Sequence, residues 1–132
     1  MTLRLAQCRC GALKAACEGE PVQISVCHCL ACQRRTGSAF AAQARYPTDR
    51  VTLAGDAATW VRTADSGRTV AYHFCPACGS TVTYETEITP GLTAVPLGAF
   101  ADPVFPPPRF SVYEARKHPW VAILGDDIEH DE

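Results

Sequence analysis

The chain lacks any run of apolar residues approaching the ~20 needed to span a bilayer, and Met1-Thr2-Leu3-Arg4-Leu5 carries no leader of basic then apolar residues. No membrane partner is expected, and the expected location is a reducing cytoplasm. A basic stripe is also missing. The formal charge is −2, and Asp126, Asp127, Glu129, Asp131 and Glu132 crowd the end; without them nine acids face 12 bases. So small and dispersed a surplus argues against a nucleic-acid partner. Helical periodicity is almost absent, and no internal repeat stands out. There is no Ser–His–Asp arrangement, phosphate-binding loop or paired-carboxylate motif, so the chemistries that depend on them have no foothold here.

Cysteine is abundant instead, at eight in 132 residues. In a reducing compartment cysteines on short spacings are metal ligands more often than disulfides. The length suits one domain with a modest core. Residues 1–125 read as a single zinc-binding β domain and 126–132 as an acidic, disordered tail.

Short alternating or β-branched runs punctuated by turn residues predict an all-β fold. Strands are expected over residues 3–8, 12–17, 22–26, 39–46, 51–53, 59–62, 69–74, 81–85, 92–97 and 110–113. Residues 30–35 suit one helical turn stopped by Gly37. Pro103 and Pro106-Pro107-Pro108 predict an extended connection with few donors. Residues 114–119 read as a charged loop or turn leading to Trp120.

The cysteines sort by spacing. Cys8-x-Cys10 and Cys75-x-x-Cys78 are two knuckles, each followed by glycine. Two such knuckles meeting face to face make a closed four-thiolate zinc site. A site of this kind contributes on the order of 10 kcal/mol to folding in zinc-finger peptides. Cys27, Cys29 and Cys32 place three thiols within six residues, enough for a second ion with one coordination position undecided. Either a protein ligand (Cys17, His28 or His73) closes that position and makes the site structural, or it stays open for a substrate. Cys17 otherwise reads as a buried apolar thiol. In an extended knuckle the His28 side chain points away from the metal. The expectation for His73 is packing.

Zinc held by three thiolates carries a formal charge of −1 and is a weaker Lewis acid than zinc held by three histidines. It suits a sulfur guest better than hydroxide. A thiol or hydroxyalkyl thioether fits, and the chemistry is breaking a carbon–sulfur bond or forming one by attack on an aldehyde.

The ordered set Cys8-x-Cys10-Gly11, Cys27-His28-Cys29-x-x-Cys32 and Phe74-Cys75-x-x-Cys78-Gly79 resembles the glutathione-dependent formaldehyde-activating enzyme family, which also includes centromere protein V. Arg34, Gly37-Ser38-Ala39-Phe40, Leu97-Gly98-Ala99-Phe100, Asp102-Pro103 and Trp120 fit the same pattern. The resemblance covers residues 8 to about 124. It implies a β-tent fold with two zinc ions, a structural ion on Cys8, Cys10, Cys75 and Cys78, and a catalytic ion on Cys27, Cys29 and Cys32. It implies carbon–sulfur lyase activity on S-hydroxymethylglutathione, the adduct of formaldehyde and glutathione. Resemblance to centromere protein V also allows a non-catalytic, zinc-stabilised binding module.

Three further residues are candidate substrate contacts. Arg34 and Arg35 can each receive a carboxylate of a tripeptide thiol, or form a solvated basic turn. Ser38, or a backbone N–H near Gly37, can polarise an aldehyde oxygen. Phe40, Trp60, Phe100 and Trp120 are expected in the core or in a pocket wall, with the core favoured.

Overall fold

The computed structural model describes residues 1–132 and contains eleven strands, one short helix and three 3-10 turns. Strands β1 (Leu3–Gln7), β2 (Lys14–Glu18) and β5 (Val51–Ala54) form a small antiparallel sheet in the order β1-β2-β5. The remaining strands are β3 (Gln23–Cys27), β4 (Ala41–Pro47), β6 (Ala58–Thr63), β7 (Thr69–Phe74), β8 (Thr81–Thr86), β9 (Leu92–Pro96), β10 (Phe110–Val112) and β11 (Glu129–His130). They form one eight-stranded sheet in the order β11-β10-β3-β4-β9-β8-β7-β6. Helix α1 (Leu30–Thr36) interrupts the run from β3 to β4 and ends where the Gly37 N–H caps the Gln33 carbonyl. The expected all-β class is the one observed, and no helix is long and apolar enough to cross a membrane.

The two sheets lean together over one core. Ala6, Leu13, Ala15 and Cys17 come from the small sheet and its turn; Ile24, Ala44, Tyr46, Val82 and Val95 come from the large one. Phe100 and Phe105 stack at 4.5 Å and join the same cluster. The phase of β1 is set by sulfur rather than by leucine. Leu3 and Leu5 are 58% and 65% exposed, whereas Ala6 and Cys8 are buried. Side chains alternate across a strand, so turning Cys8 inward toward the second knuckle turns Leu3 and Leu5 outward. Arg4 shares the inward face with Ala6, and its guanidinium lies 5.0 Å over the Phe105 ring.

The C-terminal tail departs from expectation. Instead of disordered chain, Glu129–His130 forms β11, parallel to β10. The Glu129 N–H donates to the Arg109 carbonyl and the Asp131 N–H to the Ser111 carbonyl, both at 2.9 Å. This pairing uses backbone groups alone, so an acidic composition does not exclude it. The stretch before the tail, expected as a charged loop or turn, opens with a 3-10 turn over Glu114–Arg116.

Gly55 closes the turn after β5 against the start of β2. Its φ is +104°, and a Cβ there would lie 2.1 Å from the Ala12 carbonyl oxygen. Gly67 has a similar φ, +86°, with open space around it. Gly55→Ala is therefore predicted to cost more than about 3 kcal/mol, and Gly67→Ala about 1 kcal/mol, because only the first adds a backbone clash to the conformational strain. Denaturant unfolding of both variants checks the difference; equal losses would contradict the close approach.

Candidate metal centres

Cys8 and Cys10 leave the end of β1, and Cys75 and Cys78 leave the end of β7. Each knuckle is closed by the same local device. The Gly11 N–H donates to the Cys8 carbonyl at 3.1 Å, and the Gly79 N–H to the Cys75 carbonyl at 2.8 Å. Both glycines sit at positive φ, +83° and +81°, where any side chain would be strained. The Leu13 N–H points at the Cys8 sulfur from 3.2 Å.

The four sulfurs converge. Cys8 Sγ lies 3.6 Å from Cys10 Sγ, and Cys10 Sγ 3.7 Å from Cys75 Sγ. Tetrahedral coordination with zinc–sulfur bonds of about 2.3 Å requires sulfurs roughly 3.8 Å apart. The donor set therefore fits zinc in both softness and spacing. Cys8 and Cys75 are buried while Cys10 and Cys78 face solvent. The Ser80 hydroxyl leads the contacts that bring the Cys78 thiol down to about 5. At Cys10 the Ala12 N–H favours the thiolate, but the neighbouring Cys8 and Cys75 thiols push the group up to about 11.

The second cluster is built within a single connection. Cys27 is the last residue of β3, Cys29 is the N-cap of α1 and Cys32 lies in the first turn of that helix. The Cys32 N–H reaches back to the Cys29 sulfur at 3.3 Å. All three sulfurs lie within 4.8 Å of one another, and no fourth cysteine, histidine or carboxylate joins them. Hydrogen bonds from Cys27 and then Cys32 hold the Cys29 thiol down to about 2. The same sharing, led by Cys29, pushes Cys27 far above the ordinary thiol range. Thiols this close share protons and shift one another in opposite directions. A soft cation bound here would take the place of the shared protons.

Each candidate for a fourth ligand is occupied elsewhere. Cys17 is fully buried in the core, and burial alone raises its thiol to about 11. His73 contacts the Thr59 hydroxyl and the Glu85 carboxylate, both at 2.9 Å. His28 points away from the three sulfurs; it is fully buried, and its Nε2 lies 3.0 Å from Ser111 Oγ. Burial keeps the His28 ring neutral by lowering its pKa.

One face of the large sheet leads away from the three-thiol loop. Cross-strand pairing places Arg45 opposite Ala94, Ala94 opposite Tyr84, Tyr84 opposite Tyr72 and Tyr72 opposite Trp60. Tyr72 stacks on Trp60 at 5.8 Å and contacts Tyr84 at 5.4 Å. The Arg35 guanidinium, carried by α1, lies 5.6 Å over Tyr72 and 5.0 Å over Tyr84. Arg45 donates to Ser25 Oγ at 2.9 Å, leaving its own Nε and Gln43 Oε1 buried without partners. Neither Arg35 nor Arg45 pairs with a carboxylate of the chain.

Other expected site residues are placed differently. Arg34 and Ser38 are exposed. The backbone donors proposed for an aldehyde oxygen are already used, Gly37 N–H by Gln33 O at 2.8 Å and Ser38 N–H by Thr36 Oγ1 at 3.1 Å. Phe100 joins the core as expected. Phe40 sits 5.9 Å from the His28 ring. Trp60 and Trp120 are 56% and 75% exposed rather than in the core. Trp60 lies on an outermost strand, and the Trp120 ring lies 5.4 Å from that of His118. Tyr72, Tyr84, Arg45 and Gln33 were not singled out by the sequence. Their roles follow from strand register and a loop contact, which no local motif encodes.

An all-β protein that draws four cysteines to one point and three to another is a scaffold able to hold soft metal ions at two unequal centres. The chain matches the glutathione-dependent formaldehyde-activating enzyme family over residues 4–116 and belongs to it. A crystal structure of a Rhodobacter sphaeroides protein from a structural genomics programme is similar in fold, with a TM-score of 0.59. That likeness covers 77% of this chain and 91% of the other at 19% sequence identity. No curated protein matches the chain.

The burial pattern predicts an order of thiol reactivity in the metal-free protein. Alkylation followed by peptide mass spectrometry should label the exposed Cys78, whose thiol is brought down to about 5, well before Cys17, which reacts only on global unfolding. Early labelling of Cys17 would contradict its place in the core.

Proposed function

We propose that this protein is a zinc-dependent carbon–sulfur lyase acting on a small thiol adduct such as S-hydroxymethylglutathione. In this reading Cys8, Cys10, Cys75 and Cys78 hold a structural ion, and Cys27, Cys29 and Cys32 hold the catalytic one. The observation that carries the proposal is the inequality of the two clusters, four sulfurs converging at one and three without a fourth ligand at the other. A closed site saturates its metal, whereas a three-ligand site keeps a position for substrate. Family membership supports chemistry with glutathione and formaldehyde. A binding module alone would have no use for the unsaturated centre, so the enzyme reading is preferred.

When bound at the second centre, zinc supplies a soft acceptor for a substrate sulfur. The chain's own residues orient the rest of the molecule. Arg35 is fixed over Tyr72 and Tyr84 with its fork free to receive a carboxylate in two contacts. Arg34, exposed beside it, adds positive charge, and the Ser38 hydroxyl is a candidate contact for the hydroxymethyl group. Tyr84, Tyr72 and Trp60 form the floor on which the adduct lies. Adduct formation joins the thiol sulfur to the carbonyl carbon and passes the thiol proton to the carbonyl oxygen; cleavage reverses both transfers.

The test is exchange spectroscopy on 13C-formaldehyde and glutathione at equilibrium. The zinc-loaded protein is expected to accelerate exchange between free and adduct carbon, and Cys29→Ser to return the rate to background while retaining more of the fold than Cys75→Ser. Exchange at the same rate with and without protein would overturn the proposal. Arg35→Ala should raise KM about tenfold for a carboxylate-bearing thiol, as expected for losing about 1.4 kcal/mol, and leave 2-mercaptoethanol unaffected. Equal effects on both thiols would remove Arg35 from substrate recognition.

A further inference from the structure

The family match ends at residue 116, yet chain beyond that point returns to the three-thiol loop. Two sets of contacts converge there. The first is centred on Gln33, one residue after Cys32. Its Nε2 donates to the His28 carbonyl at 2.8 Å and to the Arg116 carbonyl at 3.1 Å, and its Oε1 accepts from His118 Nε2 at 2.9 Å. The second starts at His28, between two of the thiols. Its backbone N–H donates to the Val112 carbonyl at 3.0 Å, and its Nε2 meets Ser111 Oγ. Ser111 is fully buried. Glu114, three residues on, donates its backbone N–H to the Asp131 carbonyl at 2.9 Å, and Ser111 and then His130 hold its carboxyl below the usual range. His130 Nδ1 lies 2.6 Å from Glu114 Oε2.

The donor sense at Glu114 is fixed by its charge. A carboxylate only accepts, so His130 donates its Nδ1–H to Glu114. The Asp131 N–H donates to the Ser111 carbonyl at 2.9 Å, so a line of contacts runs from β11 through Ser111 to His28, between Cys27 and Cys29. Its middle is buried, where a broken hydrogen bond is expensive. The backbone pairing of β11 with β10 holds His130 in place for this contact.

We propose that the C-terminal segment is a clamp on the second metal centre, in which Ser111, Glu114 and His130 are positioning residues acting through His28 on the Cys27–Cys32 loop. The proposal rests on the reading of Cys27, Cys29 and Cys32 as a metal site. Residues that orient the ligands of a metal alter its affinity by about 10–100-fold when removed. The four-thiol centre makes none of these contacts and serves as a control inside the same molecule.

The test loads the full-length protein with zinc and challenges it with a competing chelator. Native mass spectrometry counts the ions retained, and thiol labelling identifies which cysteines have been released. In His130→Ala and Glu114→Gln, zinc should leave Cys27, Cys29 and Cys32 at chelator concentrations about tenfold lower than in the wild type, with Cys8, Cys10, Cys75 and Cys78 protected as before. His130→Asn presents an amide donor near the Nδ1 position and should restore retention. Ending the chain after Gly125 should match His130→Ala. Release from both centres together would mean a general structural role and overturn the clamp, as would unchanged retention in all variants. If the wild type itself binds zinc only at the four-thiol centre, the reading of the three-thiol cluster fails first, and the clamp with it.

Discussion

Four sulfurs from distant parts of the chain meet at one point, and that meeting sets the geometry of everything around it. Cys8 and Cys10 end the first strand of the small sheet; Cys75 and Cys78 follow β7 of the large sheet. Sulfurs 3.6 and 3.7 Å apart sit at the spacing a tetrahedral soft ion demands. The Cys8 and Cys75 thiols push Cys10 up, whereas the Ser80 hydroxyl leads the contacts that bring Cys78 down. The inward turn of Cys8 also fixes the phase of β1, at the cost of exposing Leu3 and Leu5. A core drawn from both sheets then closes beneath the junction.

The three-thiol loop inverts this logic. Its ligands come from one strand end and one helical turn, so it ties no distant elements together through sulfur. What fixes it is hydrogen bonding from outside, through Gln33 and His28. Its charge balance also differs. Three thiolates on a divalent cation leave a net negative centre, and Arg35, whose charge acts on Cys32, has no carboxylate partner. Arg35 offsets the centre's charge and still has donors to spare for an anionic guest. The same positive group therefore serves the metal site and a carboxylate-bearing thiol.

Local chemistry carried most of the fold into the sequence. β-Branched runs and turn residues located β7 with its observed ends, and the other strands except β11 to within a few residues. The knuckles were legible because metal ligation constrains spacing and demands glycine after Cys10 and Cys78. Long-range pairing was not legible. The row from Arg45 through Tyr84 to Trp60 exists only because β4, β9, β8, β7 and β6 align in one register. Trp120 and Trp60 read as core residues by hydrophobicity, yet each packs on a ring at the surface. The acidic tail hid β11 because backbone pairing leaves no compositional trace. The N–H groups of Gly37 and Ser38 looked available until the helix end claimed both.

The central claim is that the second centre keeps one position for a substrate sulfur. Zinc X-ray absorption on the two-zinc protein, recorded with and without glutathione, addresses that position directly. The account predicts that the mean sulfur coordination rises from about 3.5 to about 4 per ion on adding glutathione, because only the three-thiol centre can gain a ligand. A sulfur count already at about 4 without glutathione, or one that glutathione leaves unchanged, would contradict it.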